Sequence, residues 1–317
     1  MAMWKNDDEM FALMKEKLYT PVVGDILDQM GYKHQFLPAS IRPLAAQVPT
    51  APYILPGETE DKRLKVAGYA CTVLENDVFE YPEDKPFGYM TEALDDLKPN
   101  EIYIATGAHN SALWGELLTA CGKARGAVGA VLDGYTRDTP KVIEQNFPVF
   151  CSGTWAQDSS VRTYVFKWRC PIEIGQVTIH NGDIVFGDID GVLIIPKDVA
   201  PEVIEKALVK ASTEKTMRKA IEDGMMVTDA FAKFGVLSHG RKAERLSDRP
   251  CGQCGNRPDT AGARSCGAAR RCLRTGGAGH HRSAGGAQDR PAGYPQRRGH
   301  REVRCGHWPR NNRYPGG

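Results

Sequence analysis

The chain has 317 residues, 41% of them hydrophobic and 25% charged, with a formal net charge of +2, enough for one large domain or two small ones. No apolar run approaches the roughly 18–20 residues needed to cross a bilayer. The first ten residues, MAMWKNDDEM, hold no apolar core of a secretory signal, so a cytoplasmic location is expected.

In chain order, the spacing of apolar and charged residues predicts helices over 6–18 and 21–31, with Pro21 suited to an early helical position. A loop-rich stretch from Pro38 to Pro56 precedes an alternating strand, Lys65 to Leu74. A helix over 89–97, a strand over 101–106, a helix over 111–125 and a buried strand over 128–133 follow. Thr139 and Pro140 read as the cap and first turn of a short helix, 140–146. A strand over 148–152 comes next. Residues 172–196 hold three β-rich runs, IEIGQVTI, DIVFG and GVLIIP, separated by turns. Helices over 199–221 and 227–234 close the body. This order of strands and helices predicts a layered α/β domain, and no internal repeat is visible. Cys71, Cys121, Cys151 and Cys170 lie beside apolar runs and are expected as buried free thiols.

Composition then changes. Residues 1–245 hold 27 basic and 35 acidic side chains, whereas 246–317 hold 14 arginines, no lysine and four acids. The large aliphatics of that tail are Leu246, Leu273 and Val303, too few to offset its ordering entropy. The expected division is a catalytic domain over 1–240 and a disordered Arg/Gly/Pro-rich tail over 241–317. Cys251, Cys254, Cys266, Cys272 and the His280-His281 pair follow no well-formed zinc pattern. Tyr294, Trp308 and Tyr314 are few aromatics for stacking on RNA, so no nucleic-acid partner is expected. A composition of Arg, Gly, Ala, Pro and Cys without Lys matches best an out-of-frame reading of GC-rich DNA.

The chemistry concentrates in 107–138, GAHNSALWGELLTACGKARGAVGAVLDGYTRD. Gly115-Glu116-Leu117-Leu118 stands at a helix start, where free amides form an anion site and glycine admits a ligand closely. Asp133 to Asp138 stands at the carboxyl end of a strand, where open α/β sheets bind ligands. Arg137 can grip a carboxylate with two parallel hydrogen bonds. Asp138 offers the hard oxygen that Mg²⁺ takes. Either half alone reads more simply as a helix start or a surface ion pair; their joint spacing is the specific signal.

With VAGYACTV (66–73), ALWGELLTACGKARGAVGAVLDGYTRD (112–138), FPVFCSG (147–153) and GDIVFGDIDGVLIIP (182–196), the chain resembles the RraA-like family over about residues 20–235. That family includes 4-hydroxy-4-methyl-2-oxoglutarate and 4-carboxy-4-hydroxy-2-oxoadipate aldolases, oxaloacetate decarboxylases and regulators of ribonuclease E activity. The resemblance implies a β/β/α swivelling-domain-like fold and a homotrimer or hexamer. It implies a class II-type lyase using Mg²⁺, or Mn²⁺, on a short 2-oxo di- or tricarboxylic acid, by retro-aldol cleavage or decarboxylation through a pyruvate enolate. The amides of Gly115 to Leu118 then cradle the pyruvyl carboxylate, and Glu116 holds the metal's water. Arg137 binds substrate and steadies the enolate, and Asp138 ligates the metal. A further carboxylate comes from a neighbouring subunit's C-terminal helix, with Glu214 first and Glu205 second. Two departures stand out: Lys141 replaces an acidic residue three positions after Asp138, and Tyr135-Thr136 replace smaller apolar residues. With His109 and Asn110 they are expected to reshape the pocket. A regulator that binds ribonuclease E without catalysis, and a sugar-acid lyase or hydrolase on the same scaffold, are the alternative readings.

Overall fold

The computed structural model describes residues 3–48 and 61–235; the calls on the tail lie outside these residues. Helices α1 (Asp7–Lys17) and α2 (Thr20–Gln29) open the chain. Asn6 caps α1, its side chain accepting from the Glu9 amide, which satisfies one of the amides a helix start leaves unpaired. Strand β1 (Arg42–Pro43), helix α3 (Leu44–Gln47) and the long strand β2 (Val66–Asp77) follow. Then come α4 (Met90–Asp95), β3 (Glu101–Ala105), β4 (Ala112–Trp114), α5 (Glu116–Ala124), β5 (Gly129–Leu132), β6 (Tyr135–Thr136) and α6 (Thr139–Glu144). The remainder is β7 (Val149–Cys151), β8 (Gly153–Thr154), β9 (Thr163–Trp168), β10 (Ile172–Ile174), β11 (Val177–Ile179), β12 (Ile184–Asp188), β13 (Gly191–Ile195), α7 (Ala200–Glu222) and α8 (Val227–Phe234).

The main sheet runs β1-β7-β5-β3-β2-β12-β13, and β9 also pairs with β2. Its centre is parallel, β2 to β3 to β5 to β7; β12, β13, β1 and β9 join antiparallel. Because side chains alternate along a strand, the sheet has two apolar faces. Ile102, Ile104, Val131 and Ala70 point to one side and pack with the β10–β11 hairpin. Tyr103, Ala105, Leu132 and Val73 point to the other, with Ala93 and Leu94 of α4 and Trp114. On that same side Ala67, Phe186 and Leu193 meet α1, α2 and α7 through Phe11, Val23 and Val203. Hairpin, sheet and helices make the β/β/α layering that the resemblance implied. No helix among the described residues is long and apolar enough to cross a membrane.

Several elements differ from the sequence reading. The helix expected over 111–125 begins only at Glu116, because Ala112–Trp114 form β4. The first β-rich run of 172–179 is two strands, folded back at Gly175, whose φ of 61° suits glycine. Asp138, not Thr139, occupies the cap position of α6. Strand β9 was not anticipated. Cys71, Cys151 and Cys170 are buried free thiols, but Cys121 is exposed.

Candidate active site

Three connections leave the carboxyl edge of the parallel strands, and each adds a short strand of its own: β4 after β3, β6 after β5, β8 after β7. These three pair in parallel as a second small sheet, Ala112 opposite Tyr135 and Tyr135 opposite Gly153. This sheet places the chemical residues. The Trp114 carbonyl accepts from the Arg137 amide at 2.9 Å and from Thr136 Oγ1 at 3.1 Å. The Trp155 amide donates to the Thr136 carbonyl at 2.9 Å. Trp114 Nε1 donates to Thr119 Oγ1, which donates to the Gly115 carbonyl, fixing the start of α5.

At the meeting point of β4–α5 and β6–α6, Asp138 Oδ2 accepts from the Glu116 amide at 3.3 Å. It stands 3.8 Å from Arg137 Nε. A Cβ on Gly115 would lie 2.6 Å from this same oxygen, closer than atoms can approach. Gly115 has an extended backbone, φ −166°, so glycine is needed there for space and not for torsion. Asp138 itself has φ 54° and ψ 32°, left-handed values that Asp tolerates better than most residues. Its carbonyl accepts from the amides of Lys141 and Val142, starting α6, so its carboxylate is left facing α5 and Arg137. Gln145 Nε2 bonds the Glu116 carbonyl at 3.0 Å and ties the two helices.

Arg137 Nη1 lies 3.1 Å from Asp158 Oδ1, with both side chains partly exposed. A cavity of about 320 Å³ opens here, lined by residues 136–139 and 154–156. Trp155 forms one wall, its ring edge-on to Tyr135 at 5.3 Å and 81°. Thus Gly115, Glu116, Arg137 and Asp138 come together as expected. Leu118 packs partly buried against the core, while Leu117 is 74% exposed. Glu214 of the same chain lines a different cavity, where it accepts from the Tyr19 hydroxyl and faces Lys210. Lys141 pairs with Glu144 at 2.9 Å. That hydrogen bond holds its amine above the ordinary value, the wrong direction for a nucleophilic amine. His109 and Asn110 do not line the cavity: the His109 amide and the Asn110 side chain donate to Asp77 Oδ2. Asp158 and Trp155 were not singled out beforehand; the one sequence signal was an aromatic in the polar stretch GTWAQDSS.

The donor set suits a hydrated divalent cation. Among the described residues no group of three or more His, Cys, Asp or Glu side chains could enclose a metal ion. Mg²⁺ is commonly held by one or two carboxylates, waters and substrate. Asp138, held by the glycine gap and half open to solvent, offers that single hard oxygen.

Known proteins bear on this geometry. The RraA-like family model (Aldolase/RraA) matches residues 20–194. Protein DlpA of Legionella pneumophila is 29% identical over 66% of this chain, but the match spans only 31% of that protein's length. A Halalkalibacterium halodurans protein with the provisional name 4-hydroxy-4-methyl-2-oxoglutarate aldolase is 33% identical over 45% of this chain and 68% of its own. The crystal structure of Streptomyces coelicolor RraAS2, an unusual member of the RNase ES inhibitor RraA protein family, superposes with a TM-score of 0.54. It is 24% identical and covers 68% of this chain and 98% of its own, a likeness of fold.

Proposed function

Because the chain belongs to the RraA-like family, we propose that the Gly115–Asp138 site is a metal-dependent carbon–carbon lyase acting on a short 2-oxo acid. The observation that carries this reading is the fit of the Asp138 carboxylate into the gap left by Gly115, beside Arg137. A protein that only binds a partner has no need of a carboxylate, a guanidinium and a helix start so arranged.

Asp138 would hold the divalent ion, whose contribution when bound is Lewis-acid polarisation of the 2-oxo group. The start of α5 receives the substrate carboxylate, since amides there have no partner within the helix. Arg137 steadies the negative charge that develops on the 2-oxo oxygen. In a 4-hydroxy-2-oxo acid the C3–C4 bond breaks and the C4 hydroxyl gives up its proton. The bonding pair passes into the 2-oxo group as the enolate of pyruvate, and a proton returned to C3 completes pyruvate. Glu116, exposed at the mouth, is the carboxylate placed to carry that proton through water. In oxaloacetate the bond lost is to the departing CO₂, and the same enolate forms.

The test is pyruvate release from a panel of 2-oxo acids with and without Mg²⁺, in wild type and Asp138→Asn. Mg²⁺-dependent release that falls by about 100-fold or more in the variant is expected. Equal activity in the two proteins would refute the assignment of Asp138.

A further inference from the structure

We infer that the acid taken by this site carries a single carboxylate, and that its far end is uncharged and lies against Trp155. The inference rests on the reading of the site as one for 2-oxo acids and narrows its substrate class.

The first argument is charge. Arg137 is the one cation among the described residues lining the cavity. It already faces two carboxylates, Asp158 at 3.1 Å and Asp138 at 3.8 Å. The neighbouring cations are turned elsewhere: Arg162 Nη1 donates to the carbonyls of Asp158 and Ser160, and Lys141 pairs with Glu144. A substrate carboxylate at the start of α5 uses the available positive potential. A second one, at the Asp158 side, would meet a carboxylate with no cation to spare, and like charges brought together act against a wrong ligand.

The second argument is shape. Trp155 is 44% exposed although large and apolar. Its amide is fixed by the Thr136 carbonyl and its ring by Tyr135, so it is a rigid apolar wall and not a mobile side chain. A methyl, aryl or other uncharged group laid on it removes apolar surface of both partners from water. The Tyr135-Thr136 pair supplies both the ring that props Trp155 and the carbonyl that holds its amide.

Two measurements test this on the full-length protein with Mg²⁺. In the first, retro-aldol turnover is compared for 4-hydroxy-2-oxopentanoate and 4-hydroxy-2-oxoglutarate, which both yield pyruvate, with acetaldehyde or glyoxylate. The monocarboxylate should show kcat/KM at least about tenfold higher. Asp158→Asn should shift the ratio toward the dicarboxylate by about tenfold, and Trp155→Ala should raise KM for the monocarboxylate. In the second, binding of 2-oxobutyrate and 2-oxoglutarate, neither of which can undergo this cleavage, is measured by calorimetry. Tighter binding of 2-oxobutyrate supports the single-carboxylate site even if no turnover is seen, in which case the lyase reading alone fails. Equal or tighter binding of 2-oxoglutarate, or a turnover ratio that favours the dicarboxylate, overturns the inference while leaving the lyase reading intact. Binding of neither acid overturns both.

Discussion

Gly115 and Asp138 constrain each other through space. An alanine at 115 keeps an allowed backbone but places a methyl 2.6 Å from Asp138 Oδ2, so the carboxylate must swing away. Displacements near 1 Å at a reacting centre cost about 100-fold in rate. Gly115→Ala should therefore lose activity on that scale while its melting temperature stays within a few degrees of wild type; full activity would show that the carboxylate's position is unimportant. Glu75 makes a different demand. It is buried on β2, accepts from Thr163 Oγ1 at 2.7 Å, and leaves Oε2 without a partner in the protein. Burial, opposed by that hydrogen bond and helped by the Asp77 charge, raises its carboxyl from 4.5 to about 7. A carboxyl raised in the folded state binds more protons folded than unfolded between those two values. Its stabilising effect is thus complete below about pH 4.5, declines as pH rises, and is gone above about 7. Glu75→Gln can still accept from Thr163 and does not titrate. Melting curves of the two proteins should diverge across that window, the wild type losing ground as pH rises; parallel curves would exclude the linkage.

At the scale of elements, the small β4-β6-β8 sheet holds the site together, and it was the part least legible in the sequence. Ala112-Leu113-Trp114 reads as the first turn of the helix that follows. Pairing with Tyr135 and, beyond it, Gly153 overrides that local preference. Two-residue strands such as Tyr135–Thr136 leave no periodicity to detect. Strand β9 was detectable, since Thr163, Tyr164, Val165, Phe166 and Trp168 are all strand formers. By contrast β2, β3 and β5 announced themselves through runs of small and branched apolar residues, and α7 and α8 through helical spacing. The Gly-Glu-Leu-Leu and Arg-Asp segments were legible as a pair, but Asp158 was not. Its meeting with Arg137 depends on β8 lying beside β6, which no local pattern encodes. Thr136→Val should test the small sheet: it keeps the buried shape, removes the hydroxyl bond to Trp114 and should cost about 1 kcal/mol. Loss of a few degrees in melting temperature, with KM raised more than kcat is lowered, is the expected pattern. An unchanged KM would mean that this bond does not steady the cavity wall.

At the scale of the whole molecule, the three apolar clusters are built from residues between Met10 and Met217, and the family match ends at residue 194. Truncation after Ser238 should accordingly leave melting temperature and pyruvate release near those of the full chain; a fall of ten degrees or more would assign the removed residues a structural part. Within one chain Glu214 sits with Tyr19 and Lys210, apart from Arg137 and Asp138. We propose that it completes the site of an adjacent subunit in a trimer. Neither Asp138→Ala nor Glu214→Ala should then be active alone, and mixing the two after dissociation should restore a fraction of wild-type turnover. A catalytically active monomer on size-exclusion chromatography would end the shared-site proposal.

The left-handed backbone at Asp138 narrows what substitution can teach. Alanine there pays roughly 1–2 kcal/mol of torsional strain in addition to losing the carboxylate, so an inactive Asp138→Ala protein mixes two injuries. Asparagine, which like aspartate tolerates φ near 54°, removes the charge and spares the torsion. The same reasoning applies to natural drift. Glycine and asparagine could hold the turn, and glutamate could keep the charge, but only aspartate meets the torsional and the chemical requirement together. An allele that abandons catalysis while still folding should therefore be found with asparagine or glycine at this position sooner than with glutamate or alanine.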